Sequence, residues 1–350
     1  MNQAKKPFRP NAIVILLILG LIAFIVYFYF FINPAQVIAI LSQTNPAYYA
    51  GAFIAYSLYV FLSALVWHRL LNSVSVKIST RKALLYTWVG LFFEATVPQL
   101  GWSGEVSKTY LLAKDSNIDA GKIGASVVGQ KIFVMTMTIV ALAIGLSSVL
   151  IGYSLPLLVT FLIALVLALS ILALAVVYYV SIKPTATKTL LNWAIRVALF
   201  FRKNWNPQNF RLKADETLGR FHSGIAQLRA NPKSLVQPII YSIASFVFEV
   251  SVIFLTFIAL GYSVPVDTVL IVFTLTGTLQ TLGITLFGFP EIIMSASFTA
   301  LFIPASLSFS VTLLTRVVNL WFRLIVSYAA LQWAGVEIIR KNKKRNSNLP

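Results

Sequence analysis

The stretch "TLQTLGITLFGFPEIIMSASF", residues 278–298, holds a single charge, Glu291, directly after the helix breakers Gly288 and Pro290 in an otherwise apolar segment. A carboxylate is expensive inside a hydrocarbon layer, so an intramembrane ionisable residue marks a functional site by default. The same arrangement stands earlier in the chain. In "FFEATVPQLGWSGEVSKTYLL", residues 92–112, Gly101, Trp102 and Gly104 precede Glu105. In both places a short apolar run stops at a glycine-containing break and restarts behind a carboxylate.

The surrounding composition identifies the solvent. Of 350 residues, 58% are hydrophobic and 11% charged, against about 25% charged in soluble domains. Several apolar runs approach the roughly 20 residues that span a bilayer as a helix. The fold class is therefore an all-α polytopic membrane protein, with 1–350 forming one integral membrane domain. The chain has no cysteine, which excludes disulfides, thiolate catalysis and cysteine metal sites. Two histidines, His68 and His222, are too few for a zinc cluster, so no metal or cofactor is expected. The net charge of +18 does not point to nucleic acid, because Lys and Arg collect at the cytoplasmic ends of membrane helices.

That bias threads the chain through the membrane. Lys5, Lys6 and Arg9 precede an apolar run at 13–32. The run ends in aromatics before Asn33-Pro34 and lacks a small-residue cleavage site, so it reads as a retained helix rather than a signal peptide. An uncharged external segment, 34–46, leads to a crossing at 48–67 that returns to His68, Arg69, Lys77, Arg81 and Lys82. Residues 83–98 and 105–113 are each short for a bilayer and both end on basic flanks. They are expected to form a re-entrant hairpin.

Crossings at 123–151 and 157–180 follow, joined by an external turn at 153–156. The interval 181–237 is polar. Within "TLLNWAIRVALFF", 189–201, Leu190, Trp193, Ala194, Val197 and Phe201 recur at helical spacing opposite Arg196 and Arg202. This pattern predicts an interfacial amphipathic helix on an anionic inner leaflet; a solvated linker is the plainer alternative. Residues 238–260 then cross outward toward Asp267. A second broken hairpin, 269–283 and 291–303, precedes the last crossing at 307–333 and a basic tail at 334–350.

Crossing, broken hairpin, crossing thus occurs at 48–151 and again, upside down, at 238–333. Inverted repeats with discontinuous helices belong to secondary transporters, because non-helical backbone at membrane depth is tolerated only where protein or a watery cavity protects it. The spacing of the two halves agrees: Glu105 lies 25 residues before Gln130, and Glu291 lies 25 before Arg316.

Two accounts fit the paired carboxylates. Either they cap helices, since Pro290 suits the first turn and a carboxylate there complements the helix dipole, or they meet cations in a cavity between the two breaks. Arg316 and Arg323 are seven apart and should share a helix face. They either pair with Glu291 or Glu249, or offer planar guanidinium forks to a lipid phosphate. Lys131 is the matching cation in the first half. Lys108 is expected nearer the cytoplasmic face, and Glu94 either snorkels or pairs with Lys131.

The motifs "VPQLGWSGEVSKTYLL" (97–112), "ASVVGQKIF" (125–133), "LFGFPEIIMSASF" (286–298) and "LLTRVVNLWFRL" (313–324) together resemble the flippase-like family related to the transmembrane region of lysylphosphatidylglycerol synthases. By that resemblance Pro98, Gly101, Gly104 and Glu105 match the first hairpin motif, and Gly288, Glu291 and Arg316 the second. Lys108 stands where the family usually has arginine. The family's acidic-basic pair and following aspartate are replaced by Gln130-Lys131 and Val134. The synthases' soluble aminoacyl-transfer domain is not found before Pro350, so aminoacyl-lipid synthesis is not expected of this polypeptide alone.

The expected function is a lipid flippase that moves an anionic phospholipid or a polyprenyl-phosphate-linked lipid between leaflets of the plasma membrane, with both termini cytoplasmic. The rival is a non-transporting subunit or enzyme of lipid-linked glycan assembly or lipid modification, although no Asp-rich motif is present to hold a pyrophosphate-bound metal. The expected partner is a lipid with an anionic headgroup; a homo-oligomer and a separate lipid-modifying or glycosyltransferase enzyme are compatible with it. The topology has a direct test in this cysteine-free chain. Single cysteines at Ser42 and Ser154 should label from outside, and those at Ser73 and Ser223 only after permeabilisation. External labelling at Ser223 would remove the inversion of the second half.

Overall fold

The computed structural model describes residues 22, 25–27, 29–97, 102–116, 118–152, 157–201, 207–281 and 288–347. Most of the expected first crossing, Pro98 and Gly101, the turn at 153–156, Arg202 and the centre of the second break lie outside them. The described chain is helical, with no strand among these residues. Five of its helices are long and apolar enough to cross a membrane: Pro46–Ser73, Ala120–Ser148, Leu157–Ile182, Pro232–Ala259 and Ala305–Gly335.

The expected uncharged segment at 34–46 holds a helix, α1 (Pro34–Ser42). Asn33 caps it, its Oδ1 accepting the Ala35 and Gln36 amides at 3.1 and 3.3 Å. The Asn-Pro pair recurs at the start of α2 (Pro46–Ser73), where Asn45 Oδ1 accepts the Ala47 amide at 3.0 Å. An Asn cap with Pro in the first turn satisfies the orphan amides and presets the backbone.

The first short pair is an antiparallel hairpin of α3 (Thr80–Thr96) and α4 (Ser103–Ser116). Its open end is tied by the Lys82 Nζ–Asp115 Oδ2 ion pair at 2.5 Å. At the break, Ser103 Oγ donates to the Phe93 and Val97 carbonyls at 3.2 and 3.1 Å, satisfying the end of α3. Between them the limbs touch backbone to backbone. A Cβ on Gly104 would sit 2.6 Å from the Gly90 carbonyl oxygen.

Next come α5 (Ala120–Gly152) and α6 (Leu157–Ile182). The polar interval folds into two helices, α7 (Pro184–Phe201) and α8 (Gln208–Ala230), of which the second has no counterpart in the sequence reading. On α7 the apolar residues Leu190, Trp193, Val197 and Phe200 are exposed. Thr187 Oγ1 and His222 Nε2, 2.7 Å apart, join α7 to α8. Helix α8 lies on the start of α5 so closely that a Cβ on Gly121 would stand 2.2 Å from the Thr217 carbonyl oxygen. Small residues on both helices, Gly121, Ala125 and Gly224, permit this approach.

The second half comprises α9 (Val236–Ala259), α10 (Val266–Thr281), α11 (Phe289–Ala300), α12 (Ala305–Arg316) and α13 (Arg323–Ser347). The last crossing is not one regular helix: a π-helical segment, Val317–Phe322, separates α12 from α13. Helix α13 continues through the expected tail to Ser347. Packing exchanges partners between halves. Helix α2 lies along α9, α3 packs on α13, and α10 packs on α5.

Among the described residues there are four apolar clusters, and the two largest lie toward opposite ends of α5. One gathers Trp67, Leu70, Leu71, Tyr86, Leu112 and Ile123; the other gathers Leu142, Ile163, Phe257, Val269, Ile271 and Phe298. Along α5 the chain runs from the first core through a polar stretch at Gln130 and Lys131 to the second. The outer helix α6 instead exposes Leu158, Phe161, Leu165 and Leu172, as a lipid-facing helix does.

The glycine contacts generate opposite expectations at two sites. Gly104→Ala must part the α3–α4 backbones and should cost about 1–3 kcal/mol. On α8, a Cβ at Gly219 meets nothing within 4 Å, so Gly219→Ala should add about 0.5–1 kcal/mol. Thermal unfolding in detergent should show melting temperatures moving in opposite directions; shifts of the same sign would refute the packing assigned to Gly104.

Candidate functional site

Between the two cores lies a cavity of about 360 Å³. Ionisable side chains distant in sequence meet there: Glu94 from α3, Glu105 and Lys108 from α4, Lys131 from α5, Glu249 from α9, and Arg316 and Arg323 from the last crossing. Of the expected site residues, Gly104 and Pro290 also line it. Glu291 stands behind Arg316, and Gly288 behind Glu291.

The geometry begins with Gly288. Its φ of 99° belongs to the left-handed region that favours glycine. It forms the N-cap of α11, with Phe289 and Pro290 opening the helix. Glu291, at the third helical position, reaches back so that its Oε2 accepts the Gly288 amide at 2.9 Å. Its Oε1 accepts Arg316 Nε at 2.6 Å. Glu291 is 3% exposed, and both of its oxygens are engaged. Capping and ion pairing are thus performed by one residue. Because Arg316 meets Glu291 through Nε, the terminal Nη edge of its fork is not used by that pair.

Glu105 differs. Its Oε1 lies 3.5 Å from Lys131 Nζ, and its Oε2 is buried with no hydrogen-bond partner. Glu105 stands in the first turn of α4, where its charge complements the helix dipole, but among the described residues its carboxylate takes no hydrogen bond from a helix amide as that of Glu291 does. Lys131 also sits over the Trp102 ring, 5.3 Å from its centroid, a cation–π contact. Of the two roles open to Glu94, snorkelling or pairing with Lys131, no ion pair with Lys131 is found among the described residues, where Lys131 pairs with Glu105. The spacing places the partner one residue beyond Gln130.

Lys108 is 7% exposed and lines the cavity. Its Nζ donates to Gln130 Oε1 at 3.0 Å and lies 4.9 Å from the Trp67 ring centroid. Gln130 in turn donates through Nε2 to the Ser63 carbonyl and hydroxyl, each at 3.0 Å. A neutral amide thus holds a lysine where the family resemblance led to an acidic residue.

Arg323, Tyr56, Tyr59 and Glu249 line the same cavity. The shared face expected of Arg316 and Arg323 assumed 3.6 residues per turn. The intervening π segment, with its i→i+5 bonding, changes that phase, yet both side chains reach the cavity. Tyr56, Tyr59 and Asn319 escaped the sequence reading; the trace they leave is a polar atom on the interior side of an apolar run. Besides Glu105 Oε2, four atoms of cavity-lining residues are buried without a hydrogen-bond partner among the described residues: Thr276 Oγ1, Thr315 Oγ1, Asn319 Oδ1 and Arg323 Nε. Buried polar atoms are nearly always paired, so these five are open to a ligand's polar groups. Among the described residues no group of acidic or histidine side chains could hold a metal ion.

The sequence profile of the lysylphosphatidylglycerol synthase TM region matches residues 13–327. Three archaeal UPF0104 membrane proteins are similar over most of their length. That of Methanocaldococcus jannaschii is 26% identical over 94% of this chain and 97% of its own. The Methanothermobacter thermautotrophicus protein is 24% identical over 93% and 97%, and the Pyrococcus horikoshii protein 23% over 84% and 86%. A multi-pass chain with discontinuous helices around a charged cavity, matched over nearly all its length, belongs to the lysylphosphatidylglycerol synthase TM-region family.

Proposed function

We propose that the protein is a lipid transporter that takes an anionic headgroup, of a phospholipid or a polyprenyl-phosphate-linked lipid, into its cavity and moves it between leaflets. The observation that carries this reading is the convergence of Lys108, Lys131, Arg316 and Arg323 from both halves on one cavity. Its volume suits a headgroup, ligand sites being about 300–1,000 Å³, while acyl or prenyl chains would stay in the bilayer. The free end of the Arg316 fork has the geometry for phosphate oxygens.

In support of an inverted repeat, the first limb of each hairpin packs on the last crossing of the other half. On this reading the two hairpins enter from opposite leaflets and their breaks meet near the midplane, as in transporters with discontinuous helices. We place the protein in the plasma membrane with both termini cytoplasmic, and α7 with its exposed Leu190, Trp193 and Val197 in the inner-leaflet interface. Covalent chemistry on the lipid is assigned to a separate lipid-modifying or glycosyltransferase enzyme, and a homo-oligomer is compatible with the exposed apolar flanks.

One observation favours a non-transporting scaffold: the Glu291–Arg316 pair is complete in itself, with both carboxylate oxygens satisfied. The two glutamates separate the alternatives. In proteoliposomes carrying fluorescent phosphatidylglycerol, Glu105→Gln should slow leaflet exchange by about tenfold or more, the equivalent of 1.4 kcal/mol, with little change in melting temperature. Glu291→Gln should lower the melting temperature as well, approaching the roughly 3–5 kcal/mol of a broken buried pair. Exchange unaffected in both variants would leave the scaffold as the sufficient account.

Arg316→Lys keeps the charge and loses the planar fork. It should weaken retention of the fluorescent lipid in the purified protein by roughly one to two orders of magnitude, from loss of charge-assisted hydrogen bonds worth about 1.5–3 kcal/mol. Equal retention by Arg316→Lys would exclude a forked phosphate contact.

A further inference from the structure

Among the described residues Lys108 is the one lysine or arginine that is buried; Lys131, Arg316 and Arg323, which line the same cavity, are partly exposed. The glycine contact of the first hairpin puts it there. With α3 and α4 in backbone contact at Gly90 and Gly104, the Lys108 Cβ lies 3.5 Å from where a Cβ on Gly90 would stand.

The ammonium rests on two rungs, one helical turn apart, that join α2 to α5. Trp67 Nε1 donates to Ser126 Oγ at 3.1 Å, and Gln130 Nε2 donates to the Ser63 carbonyl and hydroxyl, each at 3.0 Å. Lys108 Nζ donates to Gln130 Oε1 at 3.0 Å and stands 4.9 Å from the Trp67 ring centroid. All of these partners are neutral. No carboxylate lies within 4.0 Å of the Lys108 ammonium among the described residues. Glu105, three residues before it, is paired with Lys131, and Glu94, which lines the same cavity, makes no such pair.

A buried charge is costly unless it is paired. Lys131 and Arg316 meet that requirement through Glu105 and Glu291. Arg323 forms no ion pair among the described residues either, but it is partly exposed, and a delocalised guanidinium is more weakly hydrated than an ammonium. The larger cost of an uncompensated charge therefore falls on Lys108. An ammonium has three N–H donors. One goes to Gln130, and among the described residues Nζ has no other hydrogen-bond acceptor.

Resting on the lipid-binding reading, we propose that Lys108 is the seat of the ligand's negative charge, taking one oxyanion of the kind a phosphodiester supplies, and that Gln130 is its positioning residue. A carboxylate at position 130 would also bind Lys108, but it would fill the seat. The neutral amide orients the ammonium and leaves its charge to the visitor. Trp67, fixed by Ser126, closes the side away from Gln130. A lipid phosphodiester and free phosphate share this chemistry, and the experiment tells them apart.

The test uses the full chain in detergent micelles, with dioctanoyl phosphatidylglycerol as the probe and binding followed by calorimetry. Lys108→Met keeps an unbranched stem and removes the charge. Gln130→Glu keeps the size of the side chain and supplies a resident counter-ion. Each should weaken binding by about tenfold or more, as expected for a charge-assisted hydrogen bond, while retaining a cooperative thermal transition. Lys108→Arg should recover most of what Lys108→Met loses. A role confined to bracing the helices would lower the melting temperature of Lys108→Met and leave the affinity of Gln130→Glu unchanged. If Gln130→Glu does not fold, Lys108→Met and its rescue by arginine decide alone.

Wild-type affinity in the folded variants would overturn the seat and leave the lipid reading intact. If phosphatidylglycerol does not bind the unsubstituted protein, the lipid reading fails instead, and inorganic phosphate followed by phosphorus NMR decides. Phosphate binding that is lost in Lys108→Met would keep the seat for a soluble anion. No phosphate binding, or binding that the substitution leaves intact, would refute it.

Discussion

A charged or hydrogen-bonding group placed inside an apolar layer has to be satisfied by the protein itself, because no water is there to do it. The Glu291 carboxylate meets that constraint in full. It takes one hydrogen bond from the Gly288 amide exposed by the helix break and one from Arg316. A single side chain therefore closes the start of α11 and fixes the end of α12, and the last crossing is positioned by the same contact that seals the hairpin. The positive φ at Gly288 is the conformational requirement for this, and a side chain at that position would be strained.

The first half meets the same constraint by other means. Ser103 satisfies the end of α3, two glycines bring the limbs into backbone contact, and aromatic rings lie under both lysines. Glu105 is left with a long ion pair and one partnerless oxygen. The halves share a plan of short helices, breaks and carboxylates, but one is locked and the other is incompletely satisfied. A site that exchanges its ligand needs groups of the second kind, since a group already content inside the protein gains nothing from a visitor.

Much of this was legible in the sequence, for physical reasons. Long apolar runs, Asn-Pro and Gly-Pro punctuation and lone charges within them fixed the crossings, the short helices and the candidate charges, because the bilayer enforces length and polarity strictly. The pairing of Glu291 with Arg316 was one of two partners considered from spacing alone. What escaped depended on tertiary contact. Helix α8 is polar and gave no apolar stripe; it is organised by close packing of Gly224 and Thr217 on α5. The position of Lys108 is set by Gln130, Ser63 and Trp67 from two other helices. The π segment after Arg316 has no composition that distinguishes it from an α-helix, and it altered the phase on which a seven-residue spacing was read.

The separation of the apolar cores has a mechanical consequence. Each of the two largest is a dense block of Trp, Phe, Leu and Ile, and such interiors transmit strain with little deformation. Between them the polar wall of the cavity is backed by a third apolar cluster, where Phe53, Tyr56, Trp88 and Phe322 meet ring against ring. Tyr56 belongs to both, so a shift of the charged wall is passed to the rings behind it and is not absorbed by the cavity alone.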